Sequence, residues 1–144
     1  MINAGLSLNG FGECFDKKMR EGAAPWRDNG LISHYKFYLA FENAIHCNDY
    51  LSEKFWRNSL GAGAVPVVYG AHPEDVKAVA PPNSYIHVED FKSPAELVKY
   101  MDYLDKNDTA YLEYHQWRSI ELDLTSEKSS GKSSEMTCDL CKGK

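Results

Sequence analysis

The sequence predicts an α/β domain built on parallel strands, and three observations carry that expectation. Aromatic and β-branched runs at 35–43 (YKFYLAFEN), 64–70 (AVPVVYG) and 84–90 (SYIHVED) have strand character. The segment NDYLSEKFWRNSLGAG between the first two reads as a capped helix, so strand, helix and strand make a βαβ unit. A stronger helix follows at 93–108, SPAELVKYMDYLDKND. A chain of 144 residues is long enough for one domain with its own core.

Taken in order, residues 1–34 mix Gly, Asn and charge with GAAPWRDNG, which predicts a short strand or turn and then irregular or weakly helical chain. In the strand at 64–70, Pro66 lies near the start, where a proline is tolerated. In the helix between the first two strands, Asp49 or Ser52 can cap, Glu53 and Lys54 fall near the first turn, and Gly61 and Gly63 can stop it. The helix at 93–108 has Ser93 as cap, Pro94 at its first position and Glu96 placed for a capping box. Its Leu97, Tyr100, Met101 and Leu104 share one face. Asp108 is placed to cap a further helix to about Arg118, whose Tyr111, Tyr114 and Trp117 recur at helical spacing and suit core or lid packing. From Ser119 the composition shifts to SIELDLTSEKSSGKSSEMT, too poor in large apolar residues to offset its ordering entropy. Residues 119–144 are therefore expected to form a flexible tail ending in CDLCKGK, beyond a domain spanning 1–118.

A net charge of −5 with scattered Lys and Arg offers no basic patch, which sets aside nucleic acids and anionic membrane surfaces as partners. The first residues have no signal-peptide pattern and no run of about 18 apolar residues occurs, so the chain is expected to be soluble and without an address. Cys14, Cys47, Cys138 and Cys141 are compatible with free thiols or with two disulfides. Cys138 and Cys141 form a CxxC, which supplies only half of a tetrahedral zinc site, and no second pair follows. The histidines at 34, 46, 72, 87 and 115 lack metal spacing; His46 is offered for the site edge as the lesser alternative to a surface or core role, and the others read as surface or satisfied core.

The chemistry concentrates in residues 41–70, FENAIHCNDYLSEKFWRNSLGAGAVPVVYG. An open α/β sheet binds ligands beyond the carboxyl ends of its strands, and EN, DY and SEK all fall in the loop and first helical turn that follow the first strand. Lys54 offers three donors to a diphosphate, and Glu53 or Glu42 suits ribose hydroxyls. The competing account is structural: Glu then Lys in a first turn is common helix chemistry. The spacing of Gly61, Gly63 and Gly70 is no dinucleotide fingerprint, because these glycines follow the helix instead of opening it.

The block F-E-N…D-Y-x-[ST]-E-K…G-x-V-P-V, with its flanking sequence from about residue 9 to 118 and the terminal CxxC, resembles the α-1,3-fucosyltransferases that use GDP-fucose. The resemblance implies a GT-B glycosyltransferase of two Rossmann-like domains, of which this chain looks like the C-terminal, GDP-fucose-binding one. It places Asn43, Tyr50, Glu53 and Lys54 on the donor, with Glu53 at the ribose hydroxyls and Lys54 at the diphosphate. Ser52 stands where Thr is commoner and keeps the hydroxyl. The stretch NGFGECF (9–15) resembles the family's nucleotide-side loop, which brings Phe11 and Gly12 to the guanine or ribose, although Phe11 lacks the hydroxyl of the Tyr often found there.

The reaction so implied is inverting. A carboxylate deprotonates a GlcNAc hydroxyl of the acceptor glycan, the hydroxyl attacks the anomeric carbon, and GDP leaves. The family's base belongs to an N-terminal acceptor domain, and a diphosphate-binding Arg precedes the GFGEC loop. Neither region is expected in this chain, so no catalytic residue is assigned to it, and Met1 reads as the start of a truncated product with weak or no transfer of its own. A non-catalytic GDP-sugar-binding remnant is the alternative. No metal site is implied, since no Asp-x-Asp motif accompanies the block, and any divalent-ion stimulation would be indirect. The resemblance also implies a Cys14–Cys47 disulfide, partners for Cys138 and Cys141 in the other domain, and a lumenal Golgi-membrane location through an anchor this chain lacks. The sequon Asn107-Asp108-Thr109 is compatible with lumenal life.

Overall fold

The computed structural model describes residues 29–119, together with Asn9. Three strands, β1 (Phe37–Phe41), β2 (Val65–Tyr69) and β3 (Ile86–His87), form a parallel sheet in the order β1-β2-β3. The helices are α1 (Asn29–Ile32), α2 (Glu53–Trp56), α3 (Pro73–Val79), α4 (Pro94–Lys106) and α5 (Asp108–Glu113), with 3-10 turns at Leu60–Ala62, Val88–Asp90 and Gln116–Ser119. The β1-α2-β2-α3-β3 connection is the expected parallel unit, extended by one strand. The α/β class read from the sequence therefore holds.

Central β2 is buried on both faces, as its VPVVY composition requires. Val65 and Val67 turn to one side and pack with Ile86 and with Leu97, Met101 and Leu104 of α4, flanked by Phe37, Leu39, Phe41, Tyr111 and Tyr114. Val68 turns to the other, onto Phe55 of α2, Leu60, Ala71 and Val76 of α3, with Trp117 at the margin. The sheet is thus covered on both faces, and the three aromatics predicted to pack do so. Each fully buried Leu, Val or Phe contributes about 1.5–3 kcal/mol by leaving water.

Pro66 sits inside the central strand without breaking the ladder. The Val65 N–H reaches Lys36 O at 2.8 Å on the β1 side, so the next residue faces β3, whose pairing begins only at Val67↔Ile86. The donor that proline lacks is missing where no acceptor strand yet runs.

Several elements differ from the sequence expectation. Strand 84–90 shrinks to two residues, because His87 Nδ1 accepts the Glu89 N–H and draws the chain into a 3-10 turn. The helix expected to run to Gly61 lasts one turn. Ser59 Oγ donates to the Lys54 carbonyl at 2.9 Å and also bonds the Phe55 carbonyl, and the Asn58 N–H reaches back to Glu53 O. Ser52, not Asp49, caps α2; the Asp49 N–H instead donates to Asp75 Oδ2 at 2.8 Å. Ser93 caps α4 as expected, but Glu96 accepts from the Lys92 N–H, one residue before the position of a capping box. Asn107, not Asp108, caps α5. Helix α3 had no counterpart in the sequence reading; His72 caps it and Pro73 opens it.

At the carboxyl end of the sheet, residues 42–46 lie across the end of β2. The Glu42 N–H donates to Tyr69 O at 2.9 Å and the His46 N–H to Gly70 O at 2.6 Å. Gly70 makes this approach feasible: its φ is +98°, and a Cβ there would stand 2.6 Å from Ala44 O and 3.2 Å from Glu42 Cβ. Gly70→Ala is expected to destabilise the domain by about 1–3 kcal/mol, with a lowered denaturation midpoint as the readout. An unchanged midpoint would mean that the 42–46 loop does not depend on this close approach.

Candidate functional site

Four residues of the predicted block come together where β1 ends and α2 begins. Glu42, the first residue after β1, has a side chain with no solvent exposure and is met by Lys54 Nζ at 3.1 Å. Its Oε1 accepts the Ser52 N–H at 2.9 Å, and the Ser52 hydroxyl lies 2.8 Å from both carboxylate oxygens. Lys54 Nζ donates also to Asn43 Oδ1 at 3.2 Å. An ionised carboxylate can remain buried only if paired and hydrogen-bonded, and Lys54 with Ser52 meets that requirement. The Lys54 side chain is 21% exposed, and its third donor has no partner among the described residues. A cation with one unoccupied donor at the mouth of the sheet can bind an oxyanion.

Residue type alone suited Glu42 or Glu53 to ribose hydroxyls, the family resemblance favoured Glu53, and the structure separates the two. Both Glu42 oxygens are engaged by protein donors, whereas Glu53, the first residue of α2, is exposed. Asn43 is exposed beside Lys54, and Tyr50 is half-buried, with its hydroxyl making no hydrogen bond to the described residues. The helix itself adds little: one turn has almost no macrodipole, and the Lys54 N–H is already taken by Ser52 Oγ. The positive charge at this edge is that of the Lys54 ammonium. Phe11, Gly12, Cys14, Cys138 and Cys141 lie outside the described residues, as does the tail from residue 120. Cys47 is disulfide-bonded, which removes the free-thiol alternative for it.

A second cluster lies beside the first; the sequence offered His46 for the site edge and the other histidines as surface or satisfied core, and that three of them meet went unread. His46 and His72 lie in the loops after β1 and β2, and His87 is the last residue of β3, so the parallel topology gathers them at one edge. His46 Nε2 bonds Glu89 Oε1 at 2.8 Å, and its ring stands edge-on to that of His72 at 5.4 Å. His87 is buried, donating from Nε2 to Ala71 O at 3.2 Å and accepting the Glu89 N–H at Nδ1. A His at or beyond the carboxyl end of each of the three strands was the available signal. Among the described residues no group of three or more His, Cys, Asp or Glu is arranged to hold a metal ion, and no helix is long and apolar enough to cross a membrane.

A parallel α/β sheet with a lysine at the carboxyl ends of its strands is of the class of open α/β domains that bind ligands at that edge, and comparison with known proteins gives the family. Residues 1–143 match glycosyltransferase family 10 (fucosyltransferase), C-terminal part. The chain belongs to that family. It is 52% identical over 87 residues to the human 4-galactosyl-N-acetylglucosaminide 3-alpha-L-fucosyltransferase FUT6, covering 60% of this chain and 24% of the relative. Identity and coverage of this chain are the same for the human 3-galactosyl-N-acetylglucosaminide 4-alpha-L-fucosyltransferase FUT3. A crystal structure of an α1,3-fucosyltransferase with GDP-fucose superposes with a TM-score of 0.53 at 32% identity, over 60% of this chain and 25% of that one. The chain thus spans about a quarter of the length of these relatives. The fold is α/β and Rossmann-like, that of the C-terminal part of a GT-B enzyme, as the sequence resemblance implied.

The His46 hydrogen bond holds the Glu89 carboxyl below its ordinary value of 4.5. A depressed carboxyl contributes stability that is present above 4.5 and is lost as pH falls through the folded-state value. In an NMR titration, the Glu89 carboxyl is expected to titrate below 4.5 in the wild type and to move back up in His46→Ala. Identical titration in the two proteins would contradict the pairing.

Proposed function

We propose that this chain forms the donor side of an α-1,3-fucosyltransferase, which transfers L-fucose from GDP-fucose to GlcNAc of glycoprotein or glycolipid glycans with inversion. The observation that carries the reading is the Lys54 ammonium, held by Glu42 and Asn43 with a third donor that no described residue engages, within a family whose solved members include one crystallised with GDP-fucose and one with GDP. In this reading Lys54 binds the diphosphate and offsets the charge that develops on GDP as the sugar departs. Exposed Glu53 accepts from the ribose hydroxyls, and Asn43 and Tyr50 line the donor. Phe11 and Gly12 join from the nucleotide-side loop.

The acceptor hydroxyl attacks the anomeric carbon from the face opposite the leaving diphosphate, and its proton goes to a carboxylate in the acceptor-binding domain. A lumenal Golgi location and a Cys14–Cys47 bridge accompany the reading. Asn107 fits it too: its Oδ1 caps α5 at Ala110 N, while its Nδ2, the sequon's attachment atom, donates only to the exposed Tyr103 hydroxyl.

Calorimetric titration of the purified 144 residues with GDP, GDP-fucose and UDP tests the reading. GDP and GDP-fucose are expected to bind in preference to UDP, and Lys54→Ala to weaken GDP by about tenfold or more, the scale of one charge-assisted hydrogen bond. Equal affinity for UDP, or GDP binding indifferent to Lys54→Ala, would overturn it.

A further inference from the structure

Both oxygens of the Glu42 carboxylate are engaged inside the protein, which removes Glu42 from direct contact with a ligand and raises the question of what a buried charge does at the edge of a donor site. Oε1 takes the Ser52 N–H and shares the Ser52 hydroxyl; Oε2 takes the Lys54 ammonium. These donors come close to filling the roughly four acceptor positions of a carboxylate. The residue cannot drift: its N–H is tied to Tyr69 O, and its Cβ lies where only the missing side chain of Gly70 leaves room.

We propose that Glu42 is a positioning residue that acts through Lys54, fixing the ammonium in its phosphate-binding place before the nucleotide arrives; this rests on the donor-site reading above. A free lysine carries a flexible four-carbon stem whose rotamer freedom is lost when it grips an anion. Here Glu42 and Asn43 take two of its three donors, at 3.1 and 3.2 Å, and among the described residues the third has no partner. The freedom is lost on folding instead of on binding, which raises affinity without any new contact to the ligand. Ser52 couples the same carboxylate to the start of α2, because its hydroxyl bonds Glu42 and also accepts the Lys54 N–H. The backbone and the head of Lys54 are therefore both referred to one buried group.

An opposing effect is repulsion between the Glu42 carboxylate and an incoming diphosphate. The carboxylate stands behind the ammonium and has its charge shared among the Ser52 N–H, the Ser52 hydroxyl and Nζ, so positioning outweighs repulsion.

The test is a double-mutant cycle on GDP affinity in the 144-residue chain, with wild type, Glu42→Gln, Lys54→Ala and the pair. Glu42→Gln keeps the shape and removes the charge. It is expected to weaken GDP about tenfold in the wild-type background and by less than about twofold once Lys54 is Ala, because independent sites would add. Unchanged or tighter GDP binding by Glu42→Gln, or a loss that simply adds to that of Lys54→Ala, would overturn the proposal while leaving the donor site intact. A wild type that binds no GDP would overturn both. Should Glu42→Gln fail to fold, NMR of the lysine ammonium groups of the unmodified protein decides. The Lys54 ammonium is expected to exchange slowly before GDP is added, and exchange at the rate of a solvated lysine would contradict the proposal.

Discussion

A carboxylate without solvent contact has to be neutralised where it stands, and at the end of β1 that constraint organises everything around it. Glu42 requires a cation and hydrogen-bond donors. Lys54 and Ser52 supply them, and in doing so they fix where the next helix begins and which way its first turn faces. The ion pair is poor evidence for stability, since desolvation cancels much of its attraction. Its value lies in specifying one arrangement of a loop that would otherwise have several.

The sheet makes that arrangement affordable. Parallel strands bring all their carboxyl ends to one side, so the loops after β1, β2 and β3 meet there: residues 42–46, Gly70 to His72, and His87 to Glu89. Each loop leans on its neighbour. Glu42 and His46 bond the end of β2, His46 reaches Glu89 beyond β3, and buried His87 returns to Ala71. The edge proposed for the donor is in this way held by contacts between loops, with the apolar packing of α4 and α5 behind one face and of α2 and α3 behind the other.

The legible parts of the sequence were those governed by short-range rules. Val-rich β2 and the apolar stripe of α4 announce themselves because their periodicity reflects burial alone. Ser93 and Ser52 were readable as caps for the same local reason. Helix α3 escaped because its seven residues bury only Val76 and therefore show no stripe, although His72-Pro73 with Glu74 and Asp75 is a helix start. The early end of α2 was illegible, since it depends on the Ser59 hydroxyl reaching back to two carbonyls. The block F-E-N…D-Y-x-[ST]-E-K picked out the residues that meet at the end of β1, and the family resemblance favoured Glu53 over Glu42 for a ligand, but residue type alone did not separate the two glutamates. That Glu42 and not Glu53 is buried depends on Gly70, twenty-eight residues further on and invisible to spacing rules.

The central claim is that the loop between β1 and α2 is where the nucleotide sugar binds. Amide hydrogen exchange with and without saturating GDP-fucose tests it most directly. Among residues 29–119, the account predicts that added protection centres on residues 42–54, with the surface of α4 around Phe91, Tyr100 and Tyr103 unchanged. Protection that falls on α4 while 42–54 exchange as before would contradict it.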